Sequence, residues 1–257
     1  MKGKQVISFL SVLVFTLVAY ASTVTTKSSH EAPHWTYEGK EGPTYWGSIS
    51  PEYATCSTGK SQSPVDLSSA VPTDLAKLQF HYQPSKINII NNGHTIQENY
   101  DAGSYFELDG VRYDLQQFHF HVPSEHTING KHTAAEMHLV HKNAEGNLAV
   151  VGILIHAGAQ NPAFRSTWEH LSAVAGPVQQ FADTANAANM LPALQTTYRY
   201  DGSLTTPPCT EGVKWFVMMN QIELSQTQIN SLAQILKHDN RPVQPLNNRK
   251  ILEDKAP

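Results

Sequence analysis

Basic runs are absent from this chain. With 18 Lys and Arg against 22 Asp and Glu, the formal net charge is −4. No segment gathers positive charge as a nucleic-acid footprint would, so nucleic acid is not an expected partner. Long apolar runs are scarce too. The stretch Val6–Val18 is too short for a comfortable membrane span. Lys2 and Lys4 precede it and Ala19-Tyr20-Ala21 follows it, so residues 1–21 read as a secretory signal cleaved before Ser22. The mature chain then has no expected membrane span and carries 16 basic against 22 acidic residues, a net charge of −6. Cysteine is nearly missing. Cys56 and Cys209 are the only two, and in an exported chain a disulfide is expected over two buried thiols. Such a bridge would close a loop of about 150 residues, for which chain entropy gives an upper guide of about 5 kcal/mol. Repeats, low-complexity segments and a second domain boundary are also lacking. Residues 34–257 read as one domain behind a short flexible leader at 22–33.

Histidine, by contrast, is plentiful at 13 residues, and three of them form a pattern. In an extended strand residues two apart share a face, so His119 and His121 project together while Phe118 and Phe120 point away. Asn129-Gly130 lies between this segment and Ala134–His141, and Asn-Gly is a strong hairpin signal. A two-residue loop there pairs Ile128 with Lys131 and sets His121 opposite His138. Pro123 can shift that register, but an even shift keeps His138 beside His119 or His121 on the same face. Cross-strand neighbours lie about 4.5–5.5 Å apart at Cβ, or about 7–8 Å on the diagonal, within reach of a shared ion. Three neutral imidazoles with an open fourth position fit a catalytic zinc site better than a structural one, which four protein ligands usually close. Without metal, three histidines on one face of an apolar strand would be hard to satisfy. No His-Glu-x-x-His motif stands on a helical segment, which disfavours a zinc protease.

Strand patterns fill the middle of the chain, at Ile87–Ile90, Thr95–Tyr100, Tyr105–Leu108, Val111–Val122, Ala134–His141, Leu148–His156, Thr197–Tyr200 and Val213–Asn220. Helical patterns are fewer and peripheral. They cover Pro162–Ala175 and Ser225–Lys237, the second with Ser225 as cap. The expected fold class is α+β, β-dominated, with one large, mostly antiparallel sheet.

Several blocks together resemble the α-class carbonic anhydrases. They are Gln117–His121, Ser124–Thr127, Ala135–His141 and Gly202–Pro208, preceded by His34-Trp35-x-Tyr37, Gln62–Asp66 and Asn91–His94, and followed by Asn240–Pro245. All stand in that family's order, from about His34 to Ile251. The resemblance implies a twisted central sheet with zinc at the base of a conical cleft. It implies reversible hydration of carbon dioxide to bicarbonate and a proton by zinc-bound hydroxide, with anions and sulfonamides as inhibitors. In this family zinc is known to bring the pKa of a bound water from roughly 15.7 to about 7. With the export signal and two cysteines, the chain looks like the bacterial branch, periplasmic or else fully secreted.

The same resemblance assigns roles. Gln117 holds His119, Glu136 holds His138, and the backbone carbonyl at Asn240 holds His121. Glu125, which when ionised can only accept, takes the Thr205 hydroxyl proton, so the Thr205 oxygen must accept from the nucleophile and aim it. Thr206 is a secondary contact for bicarbonate. Val140, Val150, Leu204, Val213 and Trp215 match the apolar wall that receives carbon dioxide. An acid of pKa about 7 releases protons to water at only roughly 10³ s⁻¹, so a relay is needed. His94 matches the shuttle, with Tyr37, Asn92 and Gln97 holding connecting waters. Gln97 stands where asparagine is often found, and the hairpin after His121 is shorter than in many animal members. Cys209 follows Pro207-Pro208, so the disulfide would brace the Thr205 loop. His126 and His141 read as structural hydrogen-bonding residues. A catalytically silent binding domain is countered by the intact histidines, Glu125 and Thr205, while zinc esterase activity is carried as a side reaction.

Overall fold

The computed structural model describes residues 32–255. The expected signal segment and nearly all of the expected leader lie outside the described residues. Early strands are β1 (Val71–Thr73), β2 (Gln79–His81), β3 (Ser85–Asn91), β4 (Ile96–Asn99) and β5 (Tyr105–Leu108). The centre is made by β6 (Val111–His121), then the short β7 (Thr127–Ile128) and β8 (Lys131–His132), then β9 (Ala135–Lys142) and β10 (Leu148–Ala157). After these come β11 (Gln179–Ala185), β12 (Thr197–Ser203), β13 (Glu211–Met218), β14 (Ile222–Leu224) and β15 (Leu252–Asp254). Thirteen strands form one sheet, ordered β1-β15-β12-β13-β10-β9-β6-β4-β3-β11, with β2, β5 and β14 off that path. Pairing is antiparallel except for β1 with β15 and β10 with β13 and β14. The sheet is therefore mixed but mostly antiparallel, as expected.

Helices are short. The helices α1 (Trp46–Ile49), α2 (Thr55–Thr58) and α3 (Arg165–Glu169) are about one turn each, and α4 (Gln226–Leu236) is the longest described. Ser225 starts α4 in a capping box: its hydroxyl accepts the Gln228 N–H, and the Gln228 side chain accepts the Ser225 N–H. The helix expected over Pro162–Ala175 is mostly absent. A 3-10 turn at Pro162–Phe164 leads into α3, which stops at Glu169. Beyond it the backbone at Ser172 and Gly176 bonds to Asn91 instead of to a helical ladder.

Alternation along β6 and β9 sorts the two faces of the sheet. Phe118, Phe120, Met137 and Leu139 are fully buried in the main core. Each contributes about 1.5–3 kcal/mol by burial, so a one-residue slip, which would reverse the faces, is strongly opposed. His119, His121, Glu136 and His138 go to the opposite face, beside a smaller cluster with Val150, Trp215 and Val217.

The strand register differs from the expected one by an even step. The Asn129-Gly130 hairpin does pair Ile128 with Lys131, but only within the separate two-stranded sheet of β7 and β8. In the main sheet His119, not His121, faces His138, and His121 faces Glu136. Pro123 cannot donate to the ladder, and the chain bends away there. The path from His121 to Thr127 uses two more residues than the path from His132 to Glu136. An even offset preserves the face, and the three histidines stay together.

Candidate active site

The rings of His119, His121 and His138 converge, with centroids 5.1, 5.2 and 4.7 Å apart, and one nitrogen from each lies within 4.8 Å of the others. The outward nitrogens are all engaged. His119 Nδ1 donates to Gln117 Oε1 at 2.8 Å, and His138 Nε2 donates to Glu136 Oε1 at 2.9 Å. His121 Nδ1 donates to a backbone carbonyl at 2.8 Å, but the carbonyl is that of Asp239. This corrects the expectation of Asn240. One residue further on, the backbone N–H of Arg241 turns to Glu125 instead. Facing inward are Nε2 of His119, Nε2 of His121 and Nδ1 of His138. His121 Nε2 is buried without a hydrogen-bond partner. Burial, reinforced by the neighbouring imidazoles, holds His119 well below the usual histidine range. Burial also takes His138 down to about 4, against the pull of Glu136. Both rings stay neutral at pH 7, the form a metal needs.

Glu136 organises the floor of the site. Its Oε2 accepts the backbone N–H groups of Glu125 and His126, and its Oε1 accepts from the rings of His126 and His138. Burial would raise its pKa, but the His126 and His138 rings and their hydrogen bonds hold it well below the carboxylate range. Gly152 pairs with His138 across the strands, and a Cβ there would come within 3.1 Å of Glu136 Oε1. His126 Nε2 lies 2.6 Å from the Tyr200 hydroxyl, which bonds Ser63.

Glu125 is fully buried. Its Oε1 accepts the Arg241 N–H at 2.8 Å, and its Oε2 lies 3.6 Å from His121 Nε2 and 4.0 Å from His138 Nδ1. Burial pushes its pKa up to about 8, opposed first by the nearby Thr205 hydroxyl. That hydroxyl falls outside strict hydrogen-bond geometry, which leaves Oε2 without a partner. Thr205 itself sits on a tight loop. The Cys209 N–H donates to the Thr206 carbonyl at 2.8 Å, and the Leu204 N–H to the Thr210 carbonyl at 3.0 Å. A disulfide joins Cys56 and Cys209 across 153 residues. Arg241 donates from its guanidinium to the carbonyls of Cys56 and Ser63, tying that bridge to Glu125.

Above the histidines opens a cleft of about 180 Å³, lined by Val140, Val150, Leu204, Trp215, Thr205 and Thr206. Tyr37, Asn92, His94 and Gln97 line it as well. Val213 is not among the lining side chains, contrary to expectation. It shares a strand face with Trp215 and is buried with it in the smaller cluster. Trp35, part of the His34-Trp35-x-Tyr37 block but given no role from the sequence, lies flat on His94 with ring centroids 3.7 Å apart. Burial, then the charge of His34, lowers the His94 pKa. Burial and then Glu125 and Asp239 raise that of Tyr37, so it keeps its proton. The string His30-Glu31-Ala32-Pro33-His34 spells a zincin-like spacing, but residues 32–36 form no helix.

Residues 41–255 match the family model for eukaryotic-type carbonic anhydrase. The chain belongs to the α-class carbonic anhydrases. It is 43% identical to the carbonic anhydrase of Klebsiella pneumoniae over 225 residues, covering 86% of this chain and 92% of that one. A hyperthermostable carbonic anhydrase from a hydrothermal vent chimney superposes with TM-score 0.84 at 48% identity, over 86% of this chain and all of that one. The α-carbonic anhydrase of Thermovibrio ammonificans, solved with the inhibitor sulfanilamide, gives TM-score 0.84 at 41% identity over the same shares. Carbonic anhydrase activity, the reversible hydration of carbon dioxide, is therefore the activity of this enzyme, and its histidine cluster is of the kind that binds zinc in the α class. No described helix is long and apolar enough to cross a membrane.

Proposed function

We propose that Nε2 of His119, Nε2 of His121 and Nδ1 of His138 hold one zinc ion, and that carbon dioxide is hydrated beside it. The observation that carries this is the buried, partnerless Nε2 of His121 facing two more inward nitrogens while each outward nitrogen is anchored. Anchored outward nitrogens fix tautomer and ring angle, as metal-binding histidines require. Zinc, when bound, supplies a Lewis acid that makes an oxygen nucleophile available near neutral pH, and a positive charge that keeps the nearby Glu125 carboxyl ionised.

The rest is done by the chain. Ionised Glu125 accepts the Thr205 hydroxyl proton, so Thr205 Oγ accepts from the nucleophile and directs its lone pair. Val140, Val150, Leu204 and Trp215 offer carbon dioxide an apolar wall, and Thr206 contacts the bicarbonate product. His94 accepts the released proton on its ring across waters held by Tyr37, Asn92 and Gln97. Its lowered pKa keeps the ring neutral and ready to accept at pH 7. Sulfonamides are expected to bind here, as sulfanilamide does in the Thermovibrio relative. Export, to the periplasm or outside the cell, after removal of residues 1–21 belongs to the same reading and is supported by the disulfide. Metal analysis of the purified enzyme, paired with carbon dioxide hydration and ester hydrolysis assays, tests the site. One zinc per chain with hydration dominant is expected. Full hydration in metal-free protein would refute it.

A further inference from the structure

We infer that Asn91 is a positioning residue for His94, latching the turn that carries the proton relay onto the rim segment 172–176. The inference rests on the reading of His94 as the relay. The His94 ring is half-buried, and no side-chain hydrogen bond among the described residues fixes it. Its placement therefore depends on the stack against Trp35 and on the backbone that carries it. Asn92 Oδ1 accepts the N–H groups of His94 and Thr95 at 2.9 Å each, which shapes the turn from inside. Thr95 pins its far end to the Phe120 carbonyl at 2.6 Å. Asn91 does something different.

Asn91 ends β3 and bonds through both ends of its side-chain amide and through its backbone carbonyl. Its Oδ1 accepts the Gly93 N–H at 2.9 Å, where φ of +88° demands a residue free to enter that region. Its Nδ2 donates to the Ser172 carbonyl at 2.9 Å, and its own carbonyl accepts the Gly176 N–H at 3.0 Å. A turn-forming asparagine needs only the first of these bonds. The other two reach a segment about 80 residues away and set how far the turn stands from the rim. The contact is close: a Cβ on Gly93 would lie 3.9 Å from that of Ala175. The rim is itself anchored, since His170 bonds Asp183 at 2.8 Å and stacks on Phe181 at 3.7 Å, both on β11 beside β3. With its far end held to β6 by Thr95, the turn can shift at its Asn91 end and move the His94 ring relative to the cleft, while His119, His121 and His138 keep their own anchors.

Asn91→Asp tests this most cleanly. It keeps the acceptor for Gly93 and points a carboxylate oxygen at the Ser172 carbonyl, breaking the latch by repulsion. Gly176→Pro attacks from the exposed side by removing the N–H donated to Asn91. In weak buffer kcat is expected to fall several-fold in each variant while kcat/KM stays within about twofold, and added imidazole should restore kcat. The double variant Asn91→Asp/His94→Ala should be no slower than His94→Ala alone. If His94→Ala leaves kcat unchanged, the relay reading falls and the positioning role with it. If His94→Ala slows turnover but neither latch variant does, the relay stands and the positioning role is overturned. Parallel loss of kcat and kcat/KM, or further slowing in the double variant, overturns it as well.

Discussion

His138 and His141 lie three residues apart on β9, on opposite faces of the same sheet, and both are buried and held neutral. The difference is in their second nitrogens. His141 donates from Nδ1 to the Leu139 carbonyl at 2.9 Å, and its Nε2 meets the Tyr82 hydroxyl at 2.8 Å. Its hydrogen bonding is complete. His138 donates from Nε2 to Glu136, while its Nδ1 has no hydrogen-bond partner among the described residues and lies 4.0 Å from the carboxyl oxygen Oε2 of Glu125. Burial alone does not make a metal ligand, since a buried histidine with two partners is a structural polar group. What marks a ligand is one anchored nitrogen and one left free toward other free nitrogens.

The sharpest way to break this contrast is His138→Ala. It should remove zinc and activity together, measured by metal content and carbon dioxide hydration, while secondary structure persists. Retained zinc with normal hydration would dissolve the distinction between the two faces.

Reducing the disulfide comes next in size. It should destabilise the enzyme by up to about 5 kcal/mol on the chain-entropy account, read by denaturant melts with and without reductant. Activity should fall too, because Arg241 bonds both the Cys56 carbonyl and, through its N–H, Glu125. A reduced enzyme of unchanged stability and rate would show that the cleft face does not depend on this brace. Thr205→Val follows. It should keep zinc and lose on the order of 10²-fold in turnover, as other lost orienting groups do, with sulfonamide affinity weakened in step. Unchanged kinetics and inhibition would leave orientation to other groups.

Legibility in the sequence followed the same divide between strand and loop. His119, His121 and His138 could be placed on one face because strand alternation is strict, and Gln117 and Glu136 came with them two residues away. An error in register did no harm, because it was even. The third imidazole partner comes from a segment without periodicity, 118 residues from His121, where only the folded chain separates Asp239 from Asn240. Val213 illustrates a related point: alternation puts it on the face of Trp215, but of the two only Trp215 lines the cleft. The Pro162–Ala175 pattern looked helical locally, yet the chain beyond Glu169 bonds across to Asn91, a tertiary pairing no local signal announces.

The smallest effect is the one that isolates the structural histidine. Burial lowers the His141 pKa from an ordinary value near 6.5 to about 3, against hydrogen bonds to the Leu139 and Ala149 backbone that pull upward. A proton then binds the unfolded chain more readily than the folded one. The neutral ring is therefore compatible with the fold above pH 6.5, and stability drains away as pH falls from there toward 3. Between pH 7 and pH 5 this one group should remove about 2 kcal/mol. His119 and His138 push the same way in metal-free protein, so the total slope is not diagnostic, but the difference between variants is. His141→Gln keeps one donor and one acceptor for Leu139 and Tyr82. It should lower stability at pH 7 yet flatten the decline to pH 5 by about 2 kcal/mol, compared with the parent in the same metal state. Urea melts at the two pH values measure this directly. An equal decline in both proteins would mean that His141 is protonated in the fold despite its burial, and the contrast with His138 would rest on hydrogen bonding alone.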